Sequence, residues 1–361
     1  MGYHSKKNNY NFKNQFYYLL ISIIILCINI ESKNIKLSLI NNISQIKITF
    51  ANIGANKFFS EHYISKPSSI GLPSICDLNE LICNIINNIK TITLDFEDIQ
   101  INSCEKMFQN LDNIIEIDLS NFNAFEVTNM NSMFSGCSNL EKITFGNMDT
   151  SKVETMNSLF YNCIKLKSLD LTNFDTSLVS DMSRMFSNLH SLVYLKLSNK
   201  FNTLNVIYMD EMFSNTWSLT SIDLSMFNTL NVNNMSSMFS GAKKLKILNI
   251  SNFVPSKCFS IYNMFAGCDE LQYLDIRKFD LSMFENVVNA FPFNNKYFKF
   301  CAKLKDITYL FFESYKNRMI CSDTCMNENN IYIDKDNNEC VRLVSIIYMK
   351  KKYFVIKLVV N

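Results

Sequence analysis

One phenylalanine recurs along the chain at a nearly constant interval. It stands at Phe108, Phe134, Phe160, Phe186, Phe213, Phe239, Phe265 and Phe291, with gaps of 26, 26, 26, 27, 26, 26 and 26 residues. A fixed period in this range marks a stack of small structural units, each too small to bury its own apolar face. The period therefore constrains the fold more than any local propensity does.

The other apolar slots keep step with the marker. Val127, Val153, Val179, Val206 and Val232 precede it by seven residues, and Met130, Met156, Met182, Met209 and Met235 precede it by four. Met107, Met133, Leu159, Met185, Met212, Met238 and Met264 stand immediately before it. Slots at −4, −1, 0 and +3 share one face of a helix, so this half of the unit is expected to be a short helix with an inward apolar stripe. The second half changes period. Leu140, Leu166, Leu192, Leu219, Leu245 and Leu271 open an L-x-x-L-x-L pattern whose end alternates, as a short strand does. Aromatics such as Phe174, Phe201, Phe227 and Phe253 close the turn. The extra residue of the 27-residue unit falls near Lys200, in a turn, where an insertion costs least.

These segments resemble a known family. LDLTNFDTSLVSDMSRMFSN and IDLSNFNAFEVTNMNSMFSGCSNL are similar to the BspA-like leucine-rich repeats of bacterial and protist surface proteins. The resemblance covers about residues 101–291. It implies an α/β repeat: a leucine-rich-repeat solenoid with a parallel β-sheet face and short helices opposite. It also implies secretion or surface display and a role in adhesion or ligand binding. The last units drift, with Cys258, Ile261 and Phe284 in the Val and Met slots.

The expected organisation has four parts. Residues 1–32 read as a signal peptide, with Lys6, Lys7 and Lys13 before an apolar run from Phe16 to Ile30. That run is short for a membrane span, though an uncleaved anchor stays open. Residues 33–100 lack the period and read as an N-terminal cap containing strands. Residues 101–298 carry the repeats. Residues 299–361 hold Cys301, Cys321, Cys325 and Cys340, and end in LVSIIYMKKKYFVIKLVV, whose apolar halves are each too short to span a bilayer. Membrane association through that tail stays open.

Twelve cysteines in a secreted chain point to disulfides. Cys76 and Cys83 are close enough for a local bridge, and Cys301, Cys321, Cys325 and Cys340 match no standard zinc spacing, so disulfides are expected there as well. Cys137, Cys163 and Cys268 share one slot with Leu189, Thr216 and Ala242, which reads as a small buried position. Asn42, Asn234 and Asn249 stand in N-x-S/T sequons and are glycosylation candidates.

No catalytic constellation is visible. The chain has no P-loop, no G-x-S-x-G and no H-E-x-x-H, and only three histidines. A non-enzymatic role without cofactor or metal is expected. A net charge of +2 offers no electrostatic footprint for nucleic acid. Asp118, Asp170, Asp223 and Asp275 form an interrupted acidic column that reads as a solvated face. The strand side carries residues that solubility alone would not select: His190, Val193, Tyr194, Trp217, Ile247 and Tyr273. Trp and Tyr are favoured binding anchors, so these six form the expected ligand surface. The leading expectation is a secreted or surface-displayed scaffold that binds a protein or glycan, at the cell surface or in the matrix. The alternative is a structural coat protein assembled by packing of the repeats.

Overall fold

The computed structural model describes residues 44–61, 63, 66–71, 76–86, 90–96, 99–250, 252–276, 278–284, 287, 290–292, 295, 298–301, 319–321, 331–334 and 339–342. The signal segment, Asn42, His62, Cys325 and the apolar tail lie outside them. The described residues from Gln45 onward belong to one unit, which contains the repeats.

The segment before the repeats is built from short antiparallel strands: β1 (Ser44–Phe50), β2 (Gly54–Lys57), β3 (Ser69–Ile70), β4 (Cys76–Asp77), β5 (Ile82–Ile85) and β6 (Thr91–Phe96). β1 and β6 alternate buried and exposed residues, as strands with one covered face do. Residues of β1 run antiparallel along β7 (Ile114–Asp118), the first strand of the repeats, with Ile48 opposite Ile117. That pairing occupies an edge of β7 that would otherwise offer unpaired backbone groups. Phe59 closes the core at the same end, with its ring 5.6 Å from that of Phe108. The Cys76–Cys83 disulfide forms between directly paired residues of β4 and β5.

Each later unit contributes one short strand: β8 (Lys142–Thr144), β9 (Ser168–Leu171), β10 (Tyr194–Leu197), β11 (Ser221–Asp223), β12 (Ile247–Asn249) and β13 (Tyr273–Asp275). They do not merge into one sheet. β7 pairs with β8, β9 with β10, and β11 with β12, all parallel. β13 continues into β14 (Lys299–Cys301) and β15 (Met319–Cys321). A separate antiparallel pair joins β16 (Ile331–Asp334) and β17 (Glu339–Arg342). The pairing lapses after β8, β10 and β12; beside the first two gaps the strand core slots Ile143, Leu195 and Leu197 are only partly buried, while Leu248 and Leu274 at the third are buried.

The expected short helices are absent. Among the described residues there is no α-helix, and the one short helical element is a 3-10 turn at Leu281–Met283. The α/β solenoid with helices opposite a parallel sheet face is therefore corrected to a β-and-turn repeat array with several small sheets. The physical cause recurs in each unit. Two residues flank the marker Phe in the left-handed region: Ser132 and Gly136, Ser158 and Asn162, Arg184 and Asn188, with φ from 55° to 76°. A helix cannot run through such residues, because left-handed backbone reverses the winding.

The hydrogen bonds follow from that geometry. Alternate N–H groups close turns onto the carbonyl three residues back, as Met133 does to Met130 and Cys137 to Phe134. The groups between them donate instead to the next unit: Ser132 to Asn157 at 2.8 Å, Phe134 to Leu159 at 3.0 Å and Gly136 to Tyr161 at 2.8 Å. A helix would consume these donors internally. The turns release them, and they tie each unit to its successor. A chain of isolated parallel bridges runs alongside, from Ser103 through Asn129, Thr155, Asp181, Tyr208 and Asn234 to Ser260.

The apolar slots face the interior, as their period predicts, although the backbone is not helical. The marker rings form a continuous column, with stacked centroids 5.2 to 5.9 Å apart from Phe108 to Phe291. The buried hydroxyls of Thr150 and Thr203 each donate to one carbonyl and accept one N–H of the following unit. Such groups are tolerated in a core only when satisfied in this way.

Candidate functional site

The middle of each strand sends one core residue inward and leaves its neighbours outside, so β9 reads exposed, buried, exposed, buried over Ser168–Leu171. The same slot in successive units holds Glu116, Lys142, Ser168, Tyr194, Ser221, Ile247 and Tyr273. It changes from charged or small residues to large apolar and aromatic ones along the array. Tyr194 is 54%, Ile247 60% and Tyr273 38% exposed. Val193, one residue ahead of Tyr194, is 60% exposed. Ser221 pairs directly with Ile247 and separates it from Tyr194 along the slot.

His190 and Trp217 lie at the leading edge of these strands, four residues after successive markers. The structure does not leave Trp217 as a free anchor. His190, from the preceding unit, stacks on it with centroids 3.6 Å apart and planes 5° from parallel. Lys243, in the same slot of the following unit, stands over the indole at 4.6 Å. Burial, and then the Lys243 charge, hold the His190 imidazole below its ordinary pKa of 6.5. Ser218 Oγ donates to the His190 carbonyl and fixes the same corner. Lys243 was missed in the sequence, although the shared slot was the signal that could have found it.

The acidic residues of the strands serve turns. Asp170 accepts from the side chain and backbone N–H of Thr172, and these bonds, followed by Lys196, hold its carboxyl below the usual range. Asp118 and Asp223 accept the N–H of Ser120 and Ser225 in the same way. Such Asx turns give carboxylates at strand ends a local structural role.

Among the glycosylation candidates, Asn249 is exposed at the end of β12, two residues from Ile247. Asn234 belongs to the turn ladder, where its Oδ1 accepts from Ser236. Cys301 is aligned with Cys321 in the backbone register of β14 and β15, and Cys340 lies in β17. Cys137, Cys163 and Cys268 are free thiols buried in the core. Each donates to the carbonyl of the marker Phe one unit earlier. Burial pushes the Cys137 and Cys268 thiols up to about 12, which keeps them protonated and unreactive at neutral pH.

A second exposed aromatic group had no counterpart in the sequence reading. Tyr208, Phe259 and Tyr262 lie in the turn half of their units, and Phe259 is 66% exposed.

A family model described as "Mycoplasma protein of unknown function, DUF285" matches residues 102–216 and again residues 191–306. The two matches together take in more than half of the 361 residues. This chain belongs to the DUF285 family. Each DUF285 match spans several marker phenylalanines and the two overlap, as expected when one model fits a repeating array in more than one register. No curated protein matches the chain.

Proposed function

We propose that this DUF285 chain is an extracellular or cell-surface scaffold, exported through the secretory pathway, that binds a protein or glycan ligand through the exposed faces of its short strands. The observation that carries the reading is the exposure of Val193, Tyr194, Ile247 and Tyr273 on β10, β12, β13 and the residue leading into β10. Large apolar residues held exposed in one recurring strand slot are candidates for an interaction site. The resemblance to BspA-like repeats supports the same role. Tyr194 and Ile247, not Trp217, are the anchors to test, because His190 and Lys243 already engage the indole.

The test is binding of the secreted full chain to panels of matrix proteins and glycans. Replacing Tyr194 and Ile247 together by Ala is expected to lower saturable binding by tenfold or more, the order of about 1.4 kcal/mol or greater. Binding unchanged by that double substitution would overturn the proposal. A structural coat is the second reading, favoured by the exposed Tyr208, Phe259 and Tyr262 on the turn half. Ordered, concentration-dependent assembly without ligand, lost in Phe259→Ser, would support it.

A further inference from the structure

The strand surface has a charge pattern that narrows its ligand. Going along the array, slot four after the marker holds Ile164, His190, Trp217 and Lys243. The next slot holds Lys165, Ser191, Ser218 and Lys244, and slot seven holds Lys167, Val193, Thr220 and Lys246. Lysines of two units thus flank a central band of hydroxyl and aromatic residues. Backbone bonds fix the adjacency: the Lys167 carbonyl accepts from Val193 N–H at 2.9 Å, and the Thr220 carbonyl accepts from Lys246 N–H at 2.8 Å.

The lysines differ in their engagement. Lys246 pairs with Glu270 at 3.1 Å. Lys165, Lys167 and Lys244 are exposed and enter no ion pair among the described residues, and Lys243 stands over the indole of Trp217. Glu141 precedes Lys167 in its slot, and Asp269 and Glu270 follow the second lysine group, so the positive band has acidic limits on both sides. Exposed, uncompensated lysines of one sign focus counter-ions between such limits.

We infer that this band binds an extended anionic polysaccharide, one carrying sulfate or carboxylate groups along its length. The inference rests on the proposed strand-face binding and names its ligand class. A point anion does not fit the spacing. Lys165 and Lys244 stand three units apart, and the marker rings of those units are 5.2 to 5.9 Å apart at each step, so charge must recur along the ligand. Between the two lysine groups, Ser191, Thr220 and Ser221 offer hydroxyls, and the exposed rim of Trp217 and Tyr194 offers apolar edges. That mixture suits sugar rings. A nucleic acid would instead need free aromatic faces for base stacking, and both the His190 stack and Lys243 engage those of Trp217.

The test uses the full secreted chain, carrying Asn249→Gln so that no glycan stands beside Ile247. The probes are heparin, a polyuronate, neutral dextran, poly-glutamate and single-stranded DNA. Heparin is expected to bind saturably, with affinity falling as salt rises. The log–log slope should be about 3 for four neutralised charges, by analogy with polyanion counter-ion release. Lys165→Glu, Lys167→Glu and Lys244→Glu together leave the Trp217 contacts intact and are expected to lower heparin affinity at least tenfold and flatten that slope. The same lysines changed to Ala should give an intermediate loss. Unchanged melting of each variant confirms that the fold is retained.

No heparin or polyuronate binding, or binding indifferent to the lysine substitutions, overturns the inference. Tighter binding of poly-glutamate or DNA than of either polysaccharide also overturns it, in favour of a protein or nucleic-acid partner. If matrix proteins still bind and lose affinity in the Tyr194/Ile247 variant, the proposed strand-face function survives while the polysaccharide assignment falls.

Discussion

Trp217 lies flat against His190, their ring centroids 3.6 Å apart, with Lys243 over the indole from the next unit. Trp217 is the one tryptophan of the chain, so its fluorescence reports this corner alone. The fold favours neutral His190, whose pKa is lowered by burial and then by Lys243. The resulting stability is fully present above the ordinary pKa of 6.5 and is lost as pH falls through the lowered folded value. A fluorescence titration should therefore show a transition with its midpoint below 6.5. His190→Gln should abolish it, and Lys243→Gln should move it upward. A transition retained in His190→Gln would contradict the assignment.

The column of marker rings predicts a gradient of mutational cost. Phe160 is wholly buried and stacks on both Phe134 and Phe186. Phe160→Ala should cost about 3–5 kcal/mol, the usual range for a buried aromatic. Phe125, outside the column, is 49% exposed. Phe125→Ala should cost clearly less. Urea unfolding of the two variants compares them directly, and equal losses would argue against a column built from cooperating units.

Two glycines with similar backbone angles should respond differently to alanine. Gly146 has φ 57°, and an added Cβ would stand 2.7 Å from Ser120 Cα, a backbone atom that cannot swing aside. Gly267 has φ 70°, but the nearest atom, Gly241 Cα, would be 3.4 Å away. Gly267→Ala should cost only the left-handed penalty of about 1–2 kcal/mol. Gly146→Ala adds a displacement of the neighbouring unit and should cost more. Thermal melting of both variants decides the order.

The buried thiols predict alkaline sensitivity. Cys137 and Cys268 have folded pKa values raised from 9.0 to about 12 by burial. An acid whose pKa rises on folding contributes stability that is complete below its unfolded pKa and declines as pH climbs towards the folded one. The urea midpoint should therefore fall between about pH 9 and 12, beyond any change at lower pH. Cys137→Ala with Cys268→Ala should be less stable at neutral pH but lose less on going alkaline. A wild-type midpoint unchanged over that window would rule the effect out.

Much of the interior was legible in the chain itself. Every marker phenylalanine and each Val and Met slot from Val127 to Met238 is buried. The local backbone was misread because spacings of three and one residues place side chains inward in successive tight turns as well as in a helix. The missed signal stands two residues after each of the first seven markers: Asn110, Gly136, Asn162, Asn188, Asn215, Gly241 and Gly267. Asn and Gly are the residues that accept left-handed backbone at least cost, and all seven adopt it. Of the six expected ligand residues, Tyr194, Ile247 and Tyr273 share one strand slot and His190 stacks on Trp217, yet the engagement of Trp217 could not be read from its own repeat, since both partners come from other units.

The repeat, its register and the side chains withdrawn from water are written in the order of residues, because burial follows a period that one dimension records. Tertiary structure decided how backbone donors are shared between units, where strand pairing lapses, and which exposed aromatics are already stacked. Those outcomes depend on contacts between residues about 26 positions apart, whose geometry exists only once the units lie on one another.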